Sequence, residues 1–146
     1  MNLQALAVKT GPLPDTVGRP WAYFEEKGIM LDTRGPLIIH KTSRWGLGVR
    51  VITRSHGIHE GPAIITPVID YGVTVEADAW IGSYCILAGC RIGEGAICAV
   101  GSVVRGQIVW PRVLVAGNPA RVIARWNGSA WVYLPVEESG YQTRLM

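Results

Sequence analysis

Residues 75–104, VEADAWIGSYCILAGCRIGEGAICAVGSVV, repeat with a period of six that decides the fold, although the interval from Leu87 to Ile92 is five. Large, mostly aliphatic residues recur at Val75, Ile81, Leu87, Ile92, Cys98 and Val104. A small side chain lies two positions before each of the last five, at Ala79, Cys85, Cys90, Ala96 and Ser102. A period of six fits neither an α-helix nor simple strand alternation. It is typical of short strands joined by tight corners and wound into a three-sided prism, with the large residues pointing inward.

The three cysteines of the chain belong to this repeat. Cys85 and Cys90 take the small position and Cys98 takes the large inward position. We therefore interpret them as buried thiols that pack as small hydrophobic side chains. A catalytic or metal-binding role is the alternative, and the spacing contains no CxxC motif that would favour it.

Length and composition indicate one domain, residues 1–146, with 49% hydrophobic residues to form a core. The net charge of +3 suits an anionic ligand but is far below the charge of a nucleic-acid-binding protein. The sequence contains no apolar run long enough to span a membrane. The first residues lack the apolar segment of a signal peptide, so we expect a cytoplasmic protein.

The period divides the chain into four consecutive parts: a lead-in at 1–35, a β-helix at 36–117, a short helix at 118–126 and a tail at 127–146. The lead-in has no six-residue register, and we expect one short helix near residues 21–27 that covers the open first coil. The β-helix is interrupted at about 54–67, where glycines and prolines indicate a loop leaving the coil. Asn118 followed by Pro119 is a common helix start and predicts the short C-terminal helix.

The repeat, followed by VLVAGNPARVIARW at 113–126, resembles the hexapeptide-repeat acyltransferases, especially the galactoside, maltose and exopolysaccharide O-acetyltransferases. The resemblance covers roughly residues 46–126 and is most specific in AWIGS, GSVV and AGNPARVI. It implies an all-β fold, the left-handed parallel β-helix. It also implies acetyl-coenzyme A as co-substrate, no metal, and a homotrimer whose active sites lie between neighbouring chains.

Acyl transfer to a hydroxyl requires a base that works near neutral pH, and histidine is the usual choice. The candidates are His40, His56 and His59. The resemblance assigns the base to His56, because the family's catalytic histidine lies in a short segment some two dozen residues before the WIGS rung. In the same loop, Arg54 and Glu60 are candidate contacts for the acceptor.

The resemblance also places the coenzyme A contacts, at Trp80, Ser83, Val100, Gly101, Ser102, Arg105 and Arg121. Trp80 is expected to face outward in its rung, where an aromatic side chain suits a ligand or a neighbouring chain better than a core. Val100 replaces the small residue that is common in the family, so a larger side chain lines the expected path of the pantetheine arm.

Four functions are compatible with these residues. O-acetylation of a sugar or glycan hydroxyl leads, and N-acetylation of a nucleotide-linked amino sugar is the alternative. The γ-type carbonic anhydrases share the β-helix and bind zinc through three histidines. Two of the histidines here crowd into one loop, which disfavours that reaction. A non-catalytic binding module is the fourth.

Overall fold

The computed structural model describes residues 2–56 and 67–135, together with the backbone of residues 143 and 144. Three sheets form the sides of a prism. Sheet A contains β1 (Val8–Lys9), β2 (Met30–Leu31), β5 (Arg50–Ile52), β10 (Ile86–Ala88) and β13 (Val103–Arg105). Sheet B contains β3 (Leu37–Ile39), β8 (Val73–Val75), β11 (Arg91–Ile92), β14 (Gln107–Val109) and β18 (Thr143–Arg144). Sheet C contains β4 (Arg44–Trp45), β9 (Trp80–Ile81), β12 (Ile97–Cys98), β15 (Val113–Ala116), β16 (Arg121–Trp126) and β17 (Trp131–Tyr133).

Parallel pairing between successive coils sets the register of the prism. Leu87 pairs with Val104 in sheet A, and Cys98 pairs with Val115 in sheet C. Both pairs are separated by 17 residues in sequence, which is therefore the length of one coil. The coil is one residue short of three full repeats because the corner from sheet A to sheet B turns on Gly89, whose φ of +51° suits glycine.

The repeat positions form the core as the sequence predicted. All six large residues of the 75–104 segment are fully buried, and so are the five small ones, which are at most 3% exposed. Successive coils stack these residues into continuous inward columns, so that each rung is covered by the next.

One coil carries a long excursion, which the sequence predicted at about 54–67. Val51 pairs with Leu87, a separation of 36 residues instead of 17. The additional chain leaves the corner between sheets A and B as β6 (Arg54–His56) and returns as β7 (Val68–Asp70), which pairs with β6 in antiparallel fashion. We call this hairpin the arm. Residues 57–66, including His59 and Glu60, lie outside the described residues.

The lead-in is more regular than its sequence suggested. The expected helix forms as α1 (Trp21–Glu25), and the fully buried Phe24 packs edge-on against Trp45 at 5.5 Å. However, β2 stacks in parallel on β5, so the β-helix begins before residue 36. The boundary was missed because β2 contributes only two residues, too few to establish a period.

The helix predicted at 118–126 is wrong. The segment turns at Asn118–Pro119, whose peptide bond is cis, and continues as β16, which pairs with β15 in antiparallel fashion. Val122 and Ala124 are buried whereas Arg121 is exposed. This is the alternation of a strand that covers the last coil, and pairing with β15 outweighs the local helix-start signal. In turn, β17 pairs with β16 and extends sheet C.

In the described part of the chain, no helix is long and apolar enough to cross a membrane.

Candidate active site

The root of the arm is fixed by buried hydrogen bonds around Thr53, the residue before β6. The Thr53 amide donates to Asp32 Oδ2 at 3.1 Å, and the Thr53 hydroxyl accepts from the Gly35 amide at 2.9 Å. The Thr53 carbonyl accepts from the amides of Tyr71 and Gly72, where the returning strand rejoins the coil. Thr53 is fully buried and Asp32 is 1% exposed. The start of the arm is therefore held rigidly although the arm itself projects from the prism.

His56 lies at the end of β6, three residues beyond this root, and its side chain is exposed. Its strand partner is Val68. Arg54 lies at the base of the arm and forms an ion pair with Asp70, with Nε 2.5 Å from Oδ1. This hydrogen bond is the main cause of the raised pKa of Arg54. Arg54 is thus oriented within the arm by Asp70, and its proposed contact with an acceptor stays a prediction.

Beside the arm, sheet A forms a cavity of about 220 Å³. The cavity brings together two of the predicted site residues, Arg54 and Arg105, which are 51 positions apart in sequence. Its wall also includes Ser55, Tyr71, Ile86, Ala88 and Val103. Tyr71 was not predicted as a site residue, because it belongs to none of the motifs from which the site residues were predicted.

A second group of predicted residues lies at the corner between sheets C and A. The amide of Gly101 donates to the carbonyl of Ser83 at 2.9 Å, and the Ser83 hydroxyl accepts from the Leu47 amide at 3.0 Å. Val100 projects from this corner and is 73% exposed. Ser102 is fully buried, and its hydroxyl donates to the Ala99 carbonyl at 2.6 Å. Val100 and Gly101 therefore present an accessible edge, whereas the Ser102 side chain supports the corner from inside.

Trp80 belongs to sheet C and is 53% exposed, as the repeat predicted. It lines a groove of about 660 Å³, which we call the sheet C groove. The groove is lined by Arg19, Lys41, Thr42, Arg44, Asp78, Trp80, Gly95 and Ile97. Its three basic residues come from the lead-in and the first coil, outside the segments that carried the sequence prediction.

The predicted residues are distributed over different sides of the prism. The arm with His56 leaves the corner between sheets A and B, whereas Trp80 lies on sheet C, the side opposite that corner. Arg121 is exposed at the start of β16, beyond the last parallel coil of sheet C. A single chain therefore does not bring His56 and Trp80 together.

The cysteines are free and buried, as predicted. Burial raises the pKa of the Cys85 thiol and raises that of Cys90 to about 12. The Cys85 thiol donates to the Ala99 carbonyl at 3.1 Å. Such protonated, enclosed thiols pack as small hydrophobic groups. Within the described residues, no group of three or more histidine, cysteine or acidic side chains is placed to bind a metal ion.

No protein-family model matches the chain, but curated relatives align with its β-helix. The galactoside O-acetyltransferase of Escherichia coli (strain K12) is 30% identical over 80 residues, which cover 54% of this chain and 39% of the relative. The 2,3,4,5-tetrahydropyridine-2,6-dicarboxylate N-acetyltransferase of Staphylococcus aureus (strain MRSA252) is 39% identical over 77 residues, 49% of this chain and 32% of the relative. The chain thus spans less than half the length of these two relatives.

Solved structures share the coil architecture. A hexapeptide-repeat acetyltransferase from Vibrio cholerae O1 biovar eltor, complexed with acetyl-coenzyme A, is 26% identical with a TM-score of 0.56, covering 66% of this chain and 53% of its own. The chain has the hexapeptide-repeat acyltransferase fold. A maltose O-acetyltransferase from Clostridium difficile 630 shares the fold of this chain, with 24% identity, a TM-score of 0.60, and coverage of 67% of this chain and 52% of its own. The left-handed parallel β-helix predicted from residues 75–104 is thereby confirmed.

Proposed function

We propose that this hexapeptide-repeat protein transfers an acetyl group from acetyl-coenzyme A to a hydroxyl of a sugar or glycan, with His56 as general base. The observation that carries the proposal is the position of His56, exposed at the end of a strand whose root is rigidly anchored. The E. coli relative named galactoside O-acetyltransferase supports the reaction class and the acceptor class.

The proposed reaction is a direct transfer. The imidazole of His56 takes the proton from the acceptor hydroxyl while the oxygen attacks the thioester carbonyl. The carbon–sulfur bond then breaks, and the departing coenzyme A sulfur takes the proton from His56. The products are the acetyl ester and the free thiol, and no acyl-enzyme is formed. Both substrates must therefore be bound together, with the acceptor oxygen between His56 and the thioester.

The residues proposed for coenzyme A form an accessible path around one corner of the prism. Trp80 offers an exposed aromatic face on sheet C, and Val100 and Gly101 offer an edge at the next corner. Arg105 and Arg121 are exposed cationic side chains suited to the nucleotide phosphates. Ser83 and Ser102 contribute as supports of the corner backbone.

We propose further that the active site is completed between neighbouring chains of a homotrimer. His56 and Trp80 lie on different sides of one prism, so both can act on the same thioester only if they come from different chains. A closed ring of identical chains about a threefold axis supplies three such clefts.

The Staphylococcus aureus relatives, 39% identical and named N-acetyltransferases, favour a second candidate function. An amine acceptor in the same cleft would also lose a proton during transfer, so His56 would serve either reaction. The acceptor atom distinguishes the two candidates.

The decisive experiment measures thiol release from acetyl-coenzyme A with matched acceptors: galactose, maltose and glucosamine. His56→Asn should lower kcat about 10²- to 10⁴-fold while coenzyme A still binds, because general-base catalysis contributes this much. Arg125→Gln is the control, since Arg125 is exposed on β16, away from the arm and from the sheet C groove. Undiminished turnover in His56→Asn would eliminate the proposed mechanism. Transfer to glucosamine nitrogen alone would establish the second candidate.

A further inference from the structure

The sheet C groove combines an aromatic wall with a concentration of positive charge. Three cationic side chains line it, from Arg19, Lys41 and Arg44, against one carboxylate, from Asp78. In the parts of the chain that the structure describes, the ion pairs are those of Arg34 with Asp32, Arg54 with Asp70 and Arg91 with Glu76. None of them includes a groove cation, so the groove carries excess positive charge.

Arg19 is held in place without losing its charge. Its Nε and Nη2 both donate to the Ser43 carbonyl, at 2.9 and 2.6 Å, and its guanidinium stacks over the Tyr23 ring at 4.1 Å. A carbonyl and an aromatic face orient the guanidinium but do not neutralise it. The remaining N–H groups of Arg19 form a fixed donor edge of the kind that binds carboxylate or phosphate.

Trp80 adds an exposed aromatic surface beside the cations of the sheet C groove. Arg44 and Trp80 are direct register partners on adjacent strands, so the cation and the indole are neighbours on the outer face of sheet C. An exposed indole offers a flat apolar surface and one N–H donor, a combination suited to a ligand that is apolar on one face and polar at its edges. A sugar ring that carries an oxyanion matches both halves of this arrangement.

The groove also lies at the level of the arm along the prism. The arm interrupts the chain between the coil that contains Arg44 and the coil that contains Trp80. Rotation about a threefold axis parallel to the prism keeps equivalent residues at equal height. The arm of a neighbouring chain would therefore reach a cleft at the level of this groove, which places His56 of that neighbour near a ligand bound here.

We infer that the sheet C groove binds the acyl acceptor and that the acceptor is anionic, a sugar phosphate or a sugar carboxylate. The inference rests on the proposed acetyl transfer for the identity of the ligand as an acceptor. The groove cations bind the oxyanion, and the hydroxyl to be acetylated points toward the neighbouring arm. Trp80, which the resemblance assigns to coenzyme A, packs against the sugar ring instead in this inference.

The test is a titration read at one side chain. The chain contains six tryptophans, and Trp80→Phe removes and thereby assigns the Trp80 indole N–H signal in a ¹⁵N-labelled sample. Galactose 1-phosphate and galacturonate should move this signal at concentrations about tenfold or more below those needed for neutral galactose, as charge-assisted bonds require. Added salt should reduce the difference.

Arg44→Gln is the informative variant, because Arg44 is exposed and its loss leaves the Arg19 contacts in place. It should raise the Kd of both anionic sugars about tenfold or more and leave the Kd of coenzyme A unchanged. Arg125→Gln, an exposed arginine on β16 outside the groove, is the control and should change neither.

Two results would overturn the inference: equal affinity for galactose and its phosphate, or a loss in Arg44→Gln that affects coenzyme A as much as the sugar phosphate. The latter would assign the groove to the phosphates of the co-substrate. If coenzyme A does not bind and no acceptor is acetylated while galactose 1-phosphate still moves the Trp80 signal, the proposed function fails and the anion-binding groove stands.

Discussion

Asp32 offers the sharpest test of how the arm is anchored. Its buried carboxylate accepts hydrogen bonds from the Thr53 amide at 3.1 Å, from the Arg34 amide at 3.2 Å, and from the Arg34 guanidinium at 2.8 and 3.2 Å. Asp32→Asn keeps the shape of the side chain but replaces one acceptor oxygen by a donor. Whichever way the new amide points, it opposes at least one backbone N–H.

The expected loss of stability follows from where these donors lie. The Thr53 amide is buried, so leaving it unpaired costs about 1–3 kcal/mol. The Arg34 side chain is 54% exposed, so solvent screens its pair with Asp32 and the loss of that pair adds little. Asp32→Asn should therefore lower the free energy of unfolding by about 1–3 kcal/mol, with the buried amide as the dominant cause. In urea this corresponds to a midpoint shift of about 0.5–1.5 M at fixed protein concentration.

The loss should also depend on pH with a defined sign. Burial alone would raise the pKa of Asp32, but the hydrogen bonds from Arg34 and Thr53 outweigh it and hold the pKa well below its ordinary value. Because the folded pKa lies below the unfolded value of about 3.9, the stabilisation is complete above that pH and is lost as pH falls toward the folded pKa. Asparagine does not titrate. The gap between wild type and Asp32→Asn should thus be constant near neutrality and narrow below about pH 4.

Asp70→Asn is the matched control, since it removes a carboxylate from the exposed pair with Arg54. Because solvent screens this pair, Asp70→Asn should change the free energy of unfolding clearly less than Asp32→Asn does. Equal losses in the two variants, or an Asp32→Asn loss that stays constant through acid pH, would refute the buried anchor.

Two further predictions concern the assembly and the coil. If each site takes His56 from one chain and Trp80 from another, mixing His56→Asn with Trp80→Ala under conditions that exchange subunits should restore about a quarter of wild-type turnover. Random pairing of the two variants gives that fraction of intact sites. No recovery would place both residues in one chain. In Gly82→Ala the new Cβ would lie 2.6 Å from the Cys98 carbonyl oxygen and 2.8 Å from the Val100 amide nitrogen, so we expect a cost of about 3 kcal/mol or more. Gly101→Ala meets no atom within 4 Å and should cost only about 1–2 kcal/mol for its φ of +72°; similar melting temperatures for the two would contradict the steric argument.

The coil could be predicted from sequence because its information is local and repeated. Equivalent positions in successive coils, such as Ile81, Cys98 and Val115, lie in the same packing environment and carry similar residues. An ambiguous position in one rung can therefore be assigned from the rungs next to it. The excursion at the arm was visible for the same reason, as a failure of the period. Both predictions compared residues that are separated in sequence by less than the length of two coils.

The errors arose where local signals competed with pairing across the fold. Asn118 and Pro119 form a good helix start in isolation, yet the following residues complete sheet C against β15. The role of Asp32 could not be predicted for the same reason. It lies in no repeat position, and it accepts its hydrogen bond from Thr53, 21 residues later, only in the folded chain. The sheet C groove could not be assembled either, since pairing Arg44 with Trp80 requires the full length of the arm to be known.

A regular coil by itself cannot make a unique site, because each rung offers the same wall as the next. The arm breaks this equivalence at one level, and its insertion between Arg44 and Trp80 means that the rungs above and below it come from chain segments 36 residues apart, with unrelated side chains. Arg44 and Trp80 are therefore neighbours on sheet C, where an uninterrupted repeat would place two similar side chains next to each other. The arm therefore has two effects. It carries His56 away from the prism, and it brings Arg44 and Trp80 together in the groove at the same height along the prism. Catalysis and acceptor recognition would then depend on one insertion, which predicts that transplanting the arm to another coil would move His56 without recreating the groove.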